Sequence, residues 1–168
     1  MSERVPMGEM NLPTRRDRPP RLDKELYGYS GYAIHLNVGT YGQQPHFGRH
    51  PELVPEVARC IHEAAAASRV HVFCYCIMPS HLHLVAMVER GGKPLDLFMQ
   101  SVKVRSTAAA RGILPVPLWQ RGFYDRFVRN DEILMQVCLY VLNNPVEAGF
   151  VRDWHEYPGC WLSPEMGS

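Results

Sequence analysis

Met78-Pro79-Ser80-His81-Leu82-His83-Leu84-Val85 is the stretch whose reading decides the fold. Val70 to Met78, just before and into it, is almost continuously apolar, as a central strand should be. Pro79-Ser80 makes a turn, and His81 to Val88 returns as a second strand. Successive side chains on a strand point to opposite faces, so His81 and His83 share a face while Leu82 points into the core. Two imidazoles on one face can converge on a single cation, for which neutral histidine is a good ligand. A lone His-x-His is equally compatible with ring nitrogens that only make hydrogen bonds at a sheet surface.

Working outward, Tyr29 to Tyr41 forms a first strand in which Tyr32, Ile34, Leu36 and Val38 alternate with Ala33, His35, Asn37 and Gly39. Gly42 to Pro51 is a loop. Glu52 to Ser68 carries Leu53, Val54, Val57, Cys60, Ile61 and Ala64 at helical spacing. Gly91-Gly92 breaks the sheet, and a second helix runs from about Pro94 to Ala110 with Leu95, Leu97, Phe98, Val102 and Val104. Gly112, Pro115 and Pro117 mark a loop, followed by a short strand from Phe123 to Arg129. Asn130 or Asp131 caps a last helix through about Leu142, with Ile133, Leu134, Val137 and Val141 as its buried stripe and Pro145 as its end. This order predicts an α+β fold, a ferredoxin-like sandwich: an antiparallel sheet with helices on one face, plus an extra C-terminal helix. Residues 1–24, with Pro13, Pro19, Pro20 and many charges, are expected to be a flexible basic arm, 25–162 a single domain and 163–168 a tail.

A chain of 168 residues, 46% hydrophobic and 21% charged, has the make-up of an ordinary globular domain with a substantial core. No run approaches the roughly 18 apolar residues of a membrane span, and the polar N-terminus does not resemble a signal peptide. The five cysteines, Cys60, Cys74, Cys76, Cys138 and Cys160, form no CxxC pair, so reduced thiols and a cytoplasmic location are expected. Cys74 and Cys76 beside the histidines invite a zinc reading, but cysteine in an apolar strand usually packs as a small core residue. The net charge of +1 hides an uneven distribution. Between residues 101 and 129, Lys103, Arg105, Arg111, Arg121, Arg126 and Arg129 face Asp125 alone, and the N-terminal stretch adds Arg15, Arg16, Arg18 and Arg21. A basic face suits a phosphate backbone, and a solvated helix surface can look the same.

Tyr140 lies in Leu139-Tyr140-Val141-Leu142-Asn143-Asn144-Pro145, one position beside the 133–137–141 stripe. Positions four apart on a helix share a face, so Tyr140 and Asn144 could look the same way. A tyrosine near a helix end can also pack its ring and leave its hydroxyl in water. Asn-Asn-Pro is an ordinary terminator, and the residue before a proline is biased away from helical dihedrals.

Four motifs then carry a resemblance over roughly residues 18 to 162. They are Arg18-Pro19-Pro20-Arg21-Leu22, Met78-Pro79-Ser80-His81-Leu82-His83, Leu118-Trp119-Gln120-Arg121-Gly122-Phe123-Tyr124-Asp125, and Tyr140-Val141-Leu142-Asn143-Asn144-Pro145-Val146-Glu147-Ala148-Gly149. In this order and spacing they resemble the REP-associated tyrosine transposases, one-tyrosine HUH nucleases related to the transposases of small bacterial insertion sequences. The resemblance implies that His81 and His83 are metal ligands, that Tyr140 on the last helix is the nucleophile, and that Asn144 is the third protein ligand. Close relatives often have glutamine at that last position. It further implies Mg²⁺ or Mn²⁺ as cofactor and cleavage of single-stranded, hairpin-forming DNA through a 5′-phosphotyrosine.

DNA contacts are expected from Arg15, Arg16, Arg18, Arg21, Lys103, Arg105, Trp119, Arg121, Tyr124, Arg126 and Arg129, with aromatic rings available to stack on unpaired bases. Tyr124 competes with Tyr140 as nucleophile, but its place in a strand before the final helix matches the family's Trp-Gln motif. His35, His46, His50 and His71 are expected to be structural or surface residues. Monomer and homodimer both remain open. A different class of function, a hairpin-binding protein that keeps this fold without its chemistry, is the alternative, and metal dependence of cleavage separates the two.

Overall fold

In the computed structural model, residues 27–28, 30–128 and 131–167 are described. Five strands, β1 (Ala33–Gly39), β2 (Val70–Met78), β3 (His81–Val88), β4 (Tyr124–Val128) and β5 (Cys160–Leu162), form one antiparallel sheet in the order β4-β1-β3-β2-β5. The helices are α1 (His46–Arg49), α2 (Leu53–Ser68), α3 (Leu95–Ala109) and α4 (Asp131–Glu147). The first four strands with α2 and α3 give the ferredoxin-like sandwich expected from the sequence. Two elements were not legible there. One is α1, a single turn inside the expected 42–51 loop; the other is β5, a three-residue edge strand beside β2.

The sheet has apolar residues on both faces, and each face is covered. On one, Ile34, Leu36 and Val38 of β1 and Leu82, Leu84 and Ala86 of β3 pack against α2 and α3. The residues α3 turns inward are Leu95, Phe98, Met99, Val102 and Ser106, which fall on one side of the helix. Leu97 and Val104, apolar residues of the same helix, lie off this face and are exposed. On the other face, α4 covers Ala33, Cys74, Cys76, Met78 and Val85. Its buried side is Val137, Cys138, Val141 and Leu142, with Leu134 packed against it; of the expected stripe only Ile133 is exposed. A register shift of β2 against β3 between Val72 and Cys74 brings both Phe73 and Cys74 to the α4 side.

Pro145 does not end α4, which continues to Glu147. Proline has no N–H for the Val141 carbonyl four residues back, a vacancy that normally costs a helix about 3 kcal/mol. Here the Asn144 side chain fills it, its Nδ2 donating to Val141 O at 3.1 Å and to Tyr140 O at 3.0 Å. Residues 163–166, expected as a tail, instead add a short 3-10 turn, with Ser163 N–H donating to Phe73 O at 2.8 Å. The expected arm at 1–24 lies outside the described residues.

Candidate active site

Antiparallel register determines which side chains meet on the α4 face. Asn37 of β1 is opposite His83 of β3 and, on its other side, Tyr124 of β4. One pair further along, His35 is opposite Arg126, and at the other end Gly39 is opposite His81. His81, His83, His35, Asn37, Tyr124 and Arg126 therefore share one face of the sheet. Gly39 leaves room there for Gln120: a β-carbon on Gly39 would lie 2.9 Å from the Gln120 side chain.

The two expected ligands sit side by side, with ring centroids 4.8 Å apart. Tyr140 reaches the same place from α4, its ring centroid 6.3 Å from those of both His83 and His35. The histidine face is not open to water as a sheet surface would be. His83 is 0% exposed beneath α4, while His35 and His81 are partly accessible. His83 Nδ1 and His35 Nε2 are 3.0 Å apart in a hydrogen bond, while His83 Nε2 is buried with no partner among the described residues. His35, expected to be structural or surface, is thus the residue sequence reasoning missed. Its one signal was a polar position in the alternation of the first strand.

Burial disfavours the charged imidazolium. It lowers the pKa of His81, and that of His83 falls well below the usual range, with His35 and His81 adding to the effect. His35 is brought down to about 4 by burial and, less, by the Arg126 guanidinium. The surroundings thus favour the neutral form of all three rings, the form that can bind a cation. Burial raises the pKa of the Tyr140 hydroxyl; Glu147 adds to the rise and Arg126 opposes it.

Among the described residues, no group of three or more His, Cys, Asp or Glu side chains is arranged to hold a metal ion. A cation here would need a donor of another kind beside the two histidines. The donor chemistry fits: two neutral imidazoles, one of them with an orphaned buried nitrogen, and the Asn144 amide one helical turn beyond Tyr140. Because the Asn144 nitrogen is committed to its own helix, its oxygen is the atom such a role would use.

The expected DNA-contacting residues divide in two. Arg105, Arg121, Tyr124 and Arg126 are exposed. Arg105 pairs with Glu63 at 3.2 Å on the α2–α3 surface, away from the histidine face. Lys103 turns inward, donating to Gln120 O at 2.9 Å and Gly122 O at 2.6 Å, and so fixes the loop before β4. Trp119 is 7% exposed; its Nε1 donates to Ser106 Oγ at 2.8 Å and its ring lies against Phe47. As placed, it is a core residue with no face for a base to stack on. Trp119→Phe should therefore cost about 1–2 kcal/mol in a denaturant melt, from one buried hydrogen bond and some volume. Arg15, Arg16, Arg18, Arg21 and Arg129 lie outside the described residues.

Fold and site together define an α+β sandwich with a two-histidine strand facing a helix-borne tyrosine. A Haemophilus influenzae protein named, by inference, as a REP-associated tyrosine transposase is 25% identical over 93 residues, covering 47% of this chain and 53% of that protein. The chain spans about half the length of this curated relative. A solved REP-associated tyrosine transposase bound to a REP hairpin shares the fold, with a TM-score of 0.65 at 17% identity over 79% of this chain and 77% of that one. A Deinococcus radiodurans protein assigned as a transposase aligns with a TM-score of 0.48 at 17% identity, over 69% and 93% of the two chains. No protein-family model matches the chain. The relative found by sequence bears the name of the group that the sequence motifs resemble, and the solved structure shares the fold. Among the described residues, no helix is long and apolar enough to cross a membrane.

Proposed function

We propose that the protein is a metal-dependent endonuclease and strand transferase acting on single-stranded, hairpin-forming DNA through a covalent tyrosine intermediate. The observation that carries this reading is the Tyr140 ring standing over His83 and beside the His81–His83 pair. Tyr140 Oη attacks the scissile phosphorus, forming a P–O bond to the tyrosine as the P–O3′ bond breaks. The phenolic proton ends on the departing 3′ oxygen, and the 5′ phosphate stays on the protein. Attack by a 3′-hydroxyl reverses the exchange, so one phosphodiester replaces another without hydrolysis.

His81, His83 and the Asn144 oxygen would hold Mg²⁺ or Mn²⁺, which when bound polarises a non-bridging phosphate oxygen. Burial, with Glu147 adding, favours the protonated form of the Tyr140 hydroxyl. Arg126, on the same face at the β4 edge, supplies positive charge toward both the tyrosine and an incoming phosphate. Tyr124, exposed on that edge, offers a ring to an unpaired base. Arg121 lies at the same end of the molecule, in the loop that Lys103 holds.

The testing experiment is incubation of the chain with single-stranded REP-type hairpins and Mn²⁺, with and without a chelator. Cleavage that needs the ion, accompanied by a protein–DNA adduct that survives denaturing electrophoresis, supports the reading. Hairpin binding with no cleavage at any metal concentration replaces it with the silent binding protein. Arg126→Gln should weaken hairpin binding and make the slope of log affinity against log salt shallower by about 0.7, the contribution of one phosphate contact on a single strand. An unchanged slope in a salt titration removes Arg126 from the DNA path.

A further inference from the structure

His83 and His35 share one contact, His83 Nδ1 to His35 Nε2 at 3.0 Å, with their rings stacked at 5.2 Å and 28°. One nitrogen donates and the other accepts. If His35 donates, His83 must carry its own hydrogen on Nε2. If His83 donates from Nδ1, its Nε2 is a bare lone pair. That Nε2 is the buried atom without a partner, on the strand face shared with His81 and beneath Tyr140. Only the second arrangement lets it take a cation. Metal-binding histidines generally donate their other ring N–H to a fixed acceptor, which selects the tautomer and holds the ring plane. The usual acceptor is a carboxylate, carbonyl or water; here a second imidazole on the neighbouring strand stands in that place. The β1–β3 register holds it there: His35 lies one pair along from the Asn37–His83 pair, so it meets His83 on the diagonal.

We propose that His35 is a positioning residue that accepts the Nδ1–H of His83 and so presents His83 Nε2 as the metal ligand. This rests on the metal-site reading above and adds a residue to it. His35 itself touches neither ion nor DNA.

The test is Mn²⁺ binding to the full chain without DNA, measured by titration calorimetry on the unaltered protein, His35→Gln and His35→Phe. Gln places an oxygen acceptor about where Nε2 stood, whereas Phe keeps the ring and removes the acceptor. His35→Phe should lose about 10- to 100-fold in Mn²⁺ affinity, the usual effect of deleting a ligand's supporting partner, while His35→Gln keeps most of it. Equal affinity in His35→Phe and the unaltered chain, or equal losses in both variants, overturns the proposal and leaves the metal site standing. Absence of Mn²⁺ binding by the unaltered chain defeats the metal reading and the role of His35 with it. Long-range ¹⁵N–¹H spectra of the unaltered chain loaded with Mg²⁺ give a second decision that needs no variant to fold. Hydrogen on His83 Nδ1 supports the proposal; hydrogen on Nε2 overturns it.

Discussion

Tyr140→Phe should bind hairpin DNA and Mn²⁺ as the unaltered chain does, yet form no covalent adduct and no cleaved strand. The substitution removes one oxygen and keeps the ring that packs beside Val141 and Leu142, so the melting curve should move by about 1 kcal/mol or less. Loss of the adduct without loss of stability separates a reacting hydroxyl from a packing tyrosine. Tyr124→Phe should retain the adduct, because its ring stands at the exposed β4 edge rather than over His83. If Tyr124→Phe lost the adduct and Tyr140→Phe kept it, the nucleophile would be Tyr124. Cleavage by both variants without any adduct would point to an activated water.

His81→Ala and His83→Ala should both abolish metal-dependent cleavage, but they should differ in stability. Sequence alone suggests equal and small effects, since both residues share a strand face turned away from the α2–α3 core. That face is covered by α4, however, and His83 is fully buried while His81 is partly exposed. His83→Ala empties a buried ring position and strips His35 Nε2 of its partner, a change of about 2–4 kcal/mol. His81→Ala, whose polar contact among the described residues is a 3.4 Å approach to the adjacent Ser80 Oγ, should change stability by about 1 kcal/mol or less. Urea melts alongside a cleavage assay check both halves. Full cleavage by either variant would withdraw that histidine from the ligand set.

The contrast between these histidines marks what the sequence could convey. A period of two put His81 and His83 on one face, and the apolar runs on either side of Pro79-Ser80 located the hairpin that carries them. Those signals are local. The role of His35 is not, because it depends on β1 pairing with β3 in one register across 48 residues of chain. The burial of the histidine face was hidden for the same reason. Apolar Val85 and Met87 follow His83 on its own face, a sign that this side is also covered, but only the docking of α4 shows by what. Pro145 misled in a different way. A proline usually stops a helix, and the Asn144 side chain that satisfies the freed Val141 carbonyl lets this one continue past it. The three residues of β5 carry too short a pattern to be recognised without the β2 edge they pair with.

The most direct measurement is the site of covalent attachment. The chain is incubated with a single-stranded hairpin and Mn²⁺, digested with trypsin and nuclease, and the nucleotide-bearing peptide is identified by mass spectrometry. Cleavage after Arg129 and Arg152 releases residues 130–152, in which Tyr140 is the one tyrosine, while Tyr124 falls in the separate peptide 122–126. The expected result is a 5′-phosphonucleotide on Tyr140. A nucleotide on the 122–126 peptide, or cleaved DNA with no modified peptide, would contradict the assignment.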